Sequence, residues 1–369
     1  MKGFVRGVLS SVLLVGALVP AAAADGGDER SGWFYDGGLR FTAPEGNFEL
    51  KINNLFQARY RAFDPDGDTD SLSSFDLARY KLRLTGDFLD NWSFRFQTNL
   101  SDGSEESTNL LEDAFVVFKK HHMAQLWVGQ GKTFFGRQQL TESSNTQFID
   151  RNFVTRRFAP GRDVGLALLG RNRRGTYEYQ VGVYNGDGIN KDAGDNNDYM
   201  VIGRLAVMPL GSMSLSETDR AREKKNRLSI GVAAMTDTAG TESFEEVRTS
   251  RGALELAYRY GGYNLQTEFF TESVDPLLAP VGEEVDTDGW YVQTGYLFKI
   301  GLEIAGLYST ILPEGPQNDI REYGLAFNYY FSKHNHKLQV DFLDLTFQGP
   351  DASPRIDARV VRVQLQFEL

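Results

Sequence analysis

The chain has 369 residues, a formal net charge of −11 at pH 7 and no cysteine. The absence of cysteine excludes disulfides and thiolate metal sites, and the excess of acid argues against general nucleic-acid binding. A chain of this length forms either two soluble domains or one large barrel.

The first 24 residues have the order of a secretory signal peptide. Lys2 and Arg6 precede an apolar run, Val8 to Val19, and small residues follow up to Ala24. The run is too short for a membrane-spanning helix, which needs roughly 20 apolar residues. We predict a signal peptide over residues 1–24, cleaved after Ala24. Residues 25–47 are polar and rich in glycine, which predicts a tether.

From Phe48 onward, apolar and polar residues alternate with a period of two, which indicates strands rather than helices. The sixteen predicted strands begin near Phe48, Phe75, Trp92, Asn109, Ala124, Asp163, Thr176, Tyr199, Arg227, Arg251, Tyr263, Thr287, Leu302, Arg321, Lys337 and Arg359. An even number of strands returns both termini to one side, as bacterial outer-membrane barrels require.

The connections between the predicted strands fall into two alternating sets. One set is short and basic, apart from the longer stretch Pro209–Asn226, and the other is longer and mostly acidic. Short periplasmic turns and long external loops are the layout of an outer-membrane barrel. The sequence therefore predicts an all-β fold over residues 48–369: a 16-stranded antiparallel transmembrane β-barrel. A secreted soluble all-β protein that binds or cleaves polysaccharide is the alternative of another class.

The third long connection, residues 133–162, differs from the other long connections because it is basic. It carries Arg137, Arg151, Arg156, Arg157 and Arg162 against only two acids, and several phenylalanines that need packing partners. Long loops of this kind are usually functional or disordered, and the aromatic residues argue against disorder. We predict that this loop folds into the barrel and constricts the pore.

Alternation also assigns side chains to the lumen. The basic wall predicted on four neighbouring strands consists of Arg59, Arg61, Arg79, Lys81, Arg83, Arg95 and Arg362. The opposite wall is predicted to carry Glu178, Glu255, Glu268, Glu303, Glu322 and Asp341, with Arg204 and Arg259. Arginine donates two parallel hydrogen bonds to phosphate or carboxylate, and rows of arginine and lysine make pores favour anions. In the other interpretation, the arginines pair with lumen carboxylates and hold the wall and the loop rigid.

Five short segments in order resemble the phosphate-selective porin O and P family. They are Gly131–Arg137, Leu140–Ser144, Gln147–Arg151, Gly161–Gly165 and Gly182–Gly186. The resemblance implies an outer-membrane channel, usually a homotrimer, that takes up phosphate or polyphosphate through a narrow arginine-lined pore. It also implies that the inward loop contacts the anion. The candidate contacts of the loop are Lys132, Arg137, Ser143, Ser144, Arg151, Arg156, Arg157 and Arg162.

The sequence departs from the family pattern because Glu142 lies beside the serines, lysine is absent from the loop after Lys132, and the outer loops are acidic. A general diffusion porin with little or cation-leaning selectivity is therefore the alternative function. Outer-membrane lipid and lipopolysaccharide are the expected surroundings.

The sequence supports other kinds of functional site less well. Gly131-Lys132-Thr133 lacks the earlier glycine of a phosphate loop, since position 126 is Leu. The acidic stretch Asp64–Asp70 lacks the spacing of an EF-hand and is predicted to be a solvated outer loop, or a weak divalent bridge to lipopolysaccharide. The four histidines lie in predicted periplasmic turns, so no catalytic triad, metal site or cofactor is expected, and the protein is not predicted to be an enzyme.

Overall fold

The computed structural model describes residues 31–65, 71–101, 111–191, 198–241, 244–276, 285–314, 319–347 and 356–369. The predicted signal peptide lies outside the described residues. So do residues 66–70 of the acidic stretch Asp64–Asp70 and parts of six other long connections.

Two short strands precede sixteen barrel strands in the described residues. The short strands are β1 (Gly32–Tyr35) and β2 (Leu39–Thr42). The first eight barrel strands are β3 (Phe48–Pro65), β4 (Leu72–Phe88), β5 (Trp92–Asn99), β6 (Leu111–His121), β7 (Ala124–Lys132), β8 (Arg162–Arg171), β9 (Tyr177–Tyr184) and β10 (Met200–Val207). The last eight are β11 (Arg227–Thr241), β12 (Phe244–Tyr260), β13 (Tyr263–Pro276), β14 (Val285–Leu297), β15 (Leu302–Pro313), β16 (Ile320–Ser332), β17 (His336–Phe347) and β18 (Ile356–Glu368).

The sixteen long strands close into a barrel. Each pairs antiparallel with the next in sequence, and β18 returns to pair with β3, where Arg362 lies opposite Arg61. Closure leaves no unpaired strand edge, which a bilayer would penalise by several kcal/mol for each unsatisfied backbone group. The predicted 16-stranded antiparallel barrel is confirmed. Among the described residues, no helix is long and apolar enough to cross a bilayer.

Two predicted boundaries differ from the structure. The stretch Asp237–Ser250, one of the long connections predicted from the sequence, belongs mostly to strands, because β11 and β12 continue pairing through a register shift as far as Thr241 opposite Phe244. Polar residues on both faces of this extension hide the period-two pattern. The segment predicted as a tether contains β1 and β2, and β2 pairs with β3.

Of the loop predicted over residues 133–162, Arg162 begins β8, and residues 133–161 form the constriction loop. The constriction loop lies inside the barrel and has secondary structure of its own. It contains the short helices α1 (Arg137–Leu140) and α2 (Phe153–Phe158) and a 3-10 turn at Ser143–Asn145. The side chain of Asn152 caps α2 by accepting a hydrogen bond from Thr155 N. These turns are too short to produce a helical period in the sequence.

Aromatic packing holds the constriction loop inside the barrel. Phe135, Phe148 and Phe158 are fully buried, and the ring of Phe158 stacks on Phe270 of β13 at 5.5 Å between centroids. The wall makes room for them with glycine: a Cβ at Gly324 would lie 2.7 Å from the Phe148 ring. The constriction loop is therefore held in the lumen by packing against these strands of the barrel wall.

Candidate functional site

The basic wall predicted from alternation lies on β18, β3, β4 and β5 and meets the constriction loop. Asp150 of the loop accepts hydrogen bonds from Arg79 at 2.7 Å, Arg362 at 2.8 Å and Arg59 at 2.9 Å. Arg59 also binds Asp76, and Arg362 also binds Asp341. Three predicted wall arginines thus converge on one loop carboxylate, with further acids beside them.

The electrostatics of this cluster keep Asp150 ionised. Burial by itself raises the pKa of Asp150, but Arg79, Arg362 and Arg59 outweigh it and hold that pKa below the usual range of a carboxyl group. The three guanidiniums are almost fully buried. Buried arginines with carboxylate partners anchor the loop to the wall.

A second loop carboxylate, Glu142, binds the part of the basic wall that meets water. Arg95 contacts it at 2.8 Å and Arg83 at 3.1 Å. The side chains of Arg83, Arg95 and Glu142 are 18%, 21% and 28% exposed, whereas the Asp150 arginines are 9% or less. Burial raises the pKa of Glu142, but Arg95, Lys132 and Arg83 hold it well below the usual range. This charged triplet is the solvent-reachable side of the constriction.

Further along the same wall, acids that the sequence reasoning did not assign pair with predicted bases. Glu112 and Asp113 of β6 are both buried at an irregularity of the strand pairing. Lys81 contacts Glu112 at 2.8 Å, and Arg162 contacts Asp113 at 2.7 Å. The irregularity explains why alternation alone missed them, because it interrupts the period-two pattern at this point of β6.

Most of the predicted loop contacts are used within the protein. Arg137 donates to Ser214 O at 2.6 Å, Arg151 to Thr141 O at 2.9 Å, and Lys132 to Thr141 O at 2.8 Å. Ser143 and Ser144 are buried, and their carbonyl oxygens accept from Gln57 and Gln366. These residues shape the loop and join it to its surroundings.

Two loop arginines lie toward the external side. Arg156 is exposed and lies over the Phe153 ring, 4.6 Å from its centroid. Arg157 pairs with Glu272, which also binds Arg251. Arg156 therefore faces the external vestibule, and Arg157 pins α2 to the wall. Of the basic wall, Arg61 is half-buried near the outer end of β3.

The opposite wall is acidic, as predicted, and its carboxylates hold the loop backbone. Glu268 accepts from Arg137 N and Gln138 N, Asp341 from Ile149 N at 3.0 Å, and Glu322 from Phe153 N at 3.1 Å. Glu303 accepts from the side chain of Gln147 at 2.7 Å. Each of these four carboxylates is 2% exposed or less, so they satisfy buried backbone and side-chain donors rather than line an open pore.

The remaining predicted lumen charges of this wall form a separate group. Arg204 binds Glu255 at 2.6 Å and Glu178 at 3.1 Å. Arg259 donates to the hydroxyl and carbonyl oxygens of Ser214. In the described part of the chain, no cluster of three or more His, Cys, Asp or Glu side chains could hold a metal ion.

Comparison with known proteins agrees with this architecture. The model of the phosphate-selective porin O and P family matches residues 48–369. A curated relative from Aquifex aeolicus, described as an uncharacterized protein, is 23% identical over 270 residues, 65% of this chain and 63% of its own length. The chain thus spans less than two thirds of that relative.

Solved porins share the fold at low sequence identity. The anion-selective porin from Comamonas acidovorans is 11% identical and has a TM-score of 0.67, over 87% of this chain and 100% of its own. The outer-membrane channel DcaP of Acinetobacter baumannii is 11% identical with a TM-score of 0.63, over 89% and 99%. The trimer form of OmpT from Vibrio cholerae is 11% identical with a TM-score of 0.59, over 87% and 99%. At this level of identity the likeness concerns the fold alone.

Proposed function

The chain belongs to the phosphate-selective porin O and P family and is an outer-membrane channel, not an enzyme, and we propose that it favours small anions such as phosphate or polyphosphate. Transport is passive in this proposal. Solutes pass the constriction loop along the basic wall.

The observation that carries the proposal is the position of Arg83 and Arg95. Among the arginines that contact loop carboxylates, these two are the more exposed to water, and they lie diagonally across β4 and β5, Arg83 opposite Gln97 and Arg95 opposite Thr85. Two guanidiniums already bound to a carboxylate have the geometry that an anion needs. The family name and the anion-selective porin from Comamonas acidovorans support the same sign of selectivity.

The proposal is tested by the zero-current potential of the purified protein in a planar bilayer across a salt gradient, repeated with added phosphate. We expect anion selectivity and block by phosphate. In Arg83→Gln or Arg95→Gln alone, the phosphate concentration for half-block should rise about ten- to a hundredfold, because each charge-assisted hydrogen bond contributes roughly 1.5–3 kcal/mol, and the rise should be larger in the double variant. Arg321→Gln is the matched control, since Arg321 lies near the outer end of β16 and pairs with Asp319.

The second candidate is a general diffusion porin with little or cation-leaning selectivity. It is favoured by the loop carboxylates, because Asp150 and Glu142 contact five of the wall arginines between them and neutralise part of their positive charge. Cation selectivity of the wild-type channel, without block by phosphate, would establish it and overturn the anion proposal.

We also propose that the channel is a homotrimer in a lipopolysaccharide-containing membrane, after cleavage of residues 1–24. The trimer form of OmpT supports the assembly. An unheated gel sample that runs as a single subunit after mild extraction and crosslinking would contradict it.

A further inference from the structure

One connection at the short-turn end is long, and it is folded into the barrel. This long turn, residues 208–226, joins β10 to β11. Met208 and Met213 of the turn are buried against Ala257 of β12, inside the lumen. The turn therefore enters the barrel from the end opposite to the constriction loop.

Inside the lumen the long turn binds the constriction loop directly. Arg137 donates to Ser214 O at 2.6 Å, and Thr141 Oγ1 donates to Leu215 O at 2.8 Å. The backbone N–H of Glu217 in turn donates to Asn145 O at 3.1 Å. Both helix α1 and the 3-10 turn of the loop thus rest on the long turn.

Glu217 is the residue of the long turn that binds both the constriction loop and the barrel wall. Its side chain is 4% exposed and accepts hydrogen bonds from Gln138 Nε2 at 3.0 Å, Gln147 N at 2.8 Å and Gln293 Nε2 at 2.8 Å. Two of these donors belong to the constriction loop and the third to β14. No lysine or arginine of the described residues forms an ion pair with it. A buried carboxylate held by three neutral donors fixes all of them in place, because each would otherwise lose its partner.

The other side of the long turn is tied to the acidic wall. Thr218 Oγ1 lies 3.1 Å from Glu303 and 2.9 Å from the hydroxyl of Tyr330. Asp219 accepts from Gly262 N at 2.7 Å, and Ser216 Oγ lies 3.1 Å from His334 Nε2. The long turn is thus clamped between the loop and strands of the far wall.

The two sides of the lumen differ in their exposure to water. Across the acidic wall, Glu255, Glu268, Glu303, Glu322 and Asp341 are 3% exposed or less, whereas Arg83, Arg95 and Glu142 keep about a fifth or more of their side-chain surface. A cavity of about 700 Å³ lies between the loop and the long turn, with Glu142, Ser214, Arg220 and Arg259 in its lining.

We propose that the long turn is a second constriction element, which seals the acidic half of the lumen from the periplasmic side and confines solutes to the basic wall. Glu217 is its positioning residue. The proposal needs only that the barrel conducts. Its consequence for the sign of selectivity rests on the proposed function.

The test is single-channel recording of the full chain in which residues 212–222 are replaced by a short Gly-Ser linker. We expect the conductance to rise roughly twofold, on the order that uncovering the other half of the cross-section allows, since conduction follows pore diameter. Uncovering Glu303 and its neighbours should also lower the anion-to-cation permeability ratio.

A point variant keeps the test decisive if the shortened chain does not assemble. Glu217→Ala retains the length of the turn but removes its tie, so it should give the same rise in smaller measure, as frequent openings to a higher level. Lys224→Ala/Lys225→Ala is the matched control, because both lysines lie in the same turn but are exposed.

The outcomes separate the two proposals. A wild-type conductance in Glu217→Ala, and in the shortened chain where it folds, overturns the role of the long turn. A raised conductance in a channel whose wild type is cation-selective keeps that role and overturns the anion proposal.

Discussion

At the scale of single residues, carboxylates of the constriction loop decide what the wall arginines do. Asp150 holds three buried arginines, and Glu142 holds two that meet water. The same residue type on neighbouring strands therefore serves two purposes. The buried cluster anchors the loop, and the exposed one is the proposed contact for passing ions.

We predict that Asp150→Asn destabilises the barrel. The substitution leaves Arg59, Arg79 and Arg362 buried around a neutral amide, and removal of one partner from a buried ion pair costs about 3–5 kcal/mol. The measurement is the temperature at which the folded band of the outer-membrane protein converts to the unfolded one on gels. We expect a lower conversion temperature.

The control for Asp150→Asn is Asp87→Asn. Asp87 pairs with Lys119 where both side chains are partly exposed, at 56% and 32%. Exposed pairs contribute about 0–1 kcal/mol, so this variant should convert at the wild-type temperature. Equal behaviour of the two variants would show that the Asp150 cluster does not anchor the loop.

The ionisation of Glu142 should determine how the selectivity of the channel depends on pH. Its pKa lies well below the usual range because Arg95, Lys132 and Arg83 outweigh its burial. The carboxylate therefore stays charged through neutral and weakly acidic pH, and the zero-current potential should be constant there. Anion selectivity should increase only in more acidic solution, as protonation of Glu142 removes one negative charge beside Arg83 and Arg95, while Arg95 keeps its ion pair with Asp113.

The same pKa fixes the sign of the stability effect. Because the folded-state pKa of Glu142 is depressed, its ion pairs stabilise the barrel fully above the ordinary pKa of a glutamate, and that stabilisation is lost as the pH falls toward the folded-state value.

Recording from Glu142→Gln checks the predicted pH dependence of selectivity, since the selectivity of this variant should match that of the acidified wild type at every pH. A wild-type selectivity that changes between neutral and weakly acidic pH would contradict this.

Part of this arrangement of charged residues could be predicted from the sequence. Period two assigned Arg59, Arg79, Arg95 and Arg362 to the lumen, because closure of a barrel turns alternate residues inward, and in the structure all four contact carboxylates of the loop. It could not pair Arg79 with Asp150, which lies 71 residues away along the chain. That pairing depends on the path of the constriction loop.

At the scale of elements, the constriction loop is held by shape as well as by charge. Phe148 lies against Gly324 of β16, and Phe158 lies against Gly289 of β14. Aromatic residues in the loop predicted that it would pack against something, and this expectation is confirmed. The matching glycines could not be chosen from the sequence, because glycines are frequent throughout the strands.

We predict that Gly324→Ala displaces the constriction loop. A Cβ there would lie 2.7 Å from Phe148 Cε1 and 3.1 Å from two leucine side-chain atoms, so the buried ring must move. Overpacking of this kind costs about 1–3 kcal/mol. Single-channel recordings should show altered conductance with added noise, and the folded band should convert at a lower temperature.

Gly203→Ala is the matched control for this variant. Gly203 lies in β10, and a Cβ at this position meets nothing within 4 Å. Conductance and conversion temperature should both equal those of the wild type. A quiet, wild-type channel in Gly324→Ala would mean that the loop is not held by this contact.

The long turn shows the other limit of element-scale prediction. Its length stood out among the short connections, which is the signal that could have identified it. The sequence pattern shows no preference for the lumen, because Ser214 and Leu215 bind the loop through backbone carbonyl oxygens and, of the contacts described above, only Glu217 uses a side chain. Any residue type provides that acceptor.

At the scale of the whole molecule, the closure of the barrel and the segregation of short turns and long loops to opposite ends could be predicted from the sequence. The N-terminal hairpin could not. Strand count, loop segregation and alternation all follow from one closed sheet in a bilayer. The hairpin of β1 and β2 adds to β3 beyond the point where β18 ends, with Leu39 opposite Ile52. It lies outside the apolar barrel pattern, so its sequence resembles a polar tether.

Closure of the barrel should depend on β18 and not on the hairpin of β1 and β2. The C-terminal residue Leu369 already pairs with Asn54, and β18 pairs with β3 from Leu55 to Pro65. Deletion of residues 32–42 should therefore leave a closed barrel of wild-type conductance. Deletion of residues 356–369 should abolish the folded band, because β17 and β3 would then expose unpaired edges to lipid at a cost of several kcal/mol per backbone group.

Gel conversion and bilayer recording distinguish the two deletions. Asn53 donates to both Leu369 O at 2.9 Å and Gly37 O at 2.6 Å, so the hairpin and the C-terminus share one anchoring side chain. If deletion of the hairpin also abolished the folded band, this shared anchor would be part of closure, and the barrel would depend on its first eleven hairpin residues as much as on its last strand.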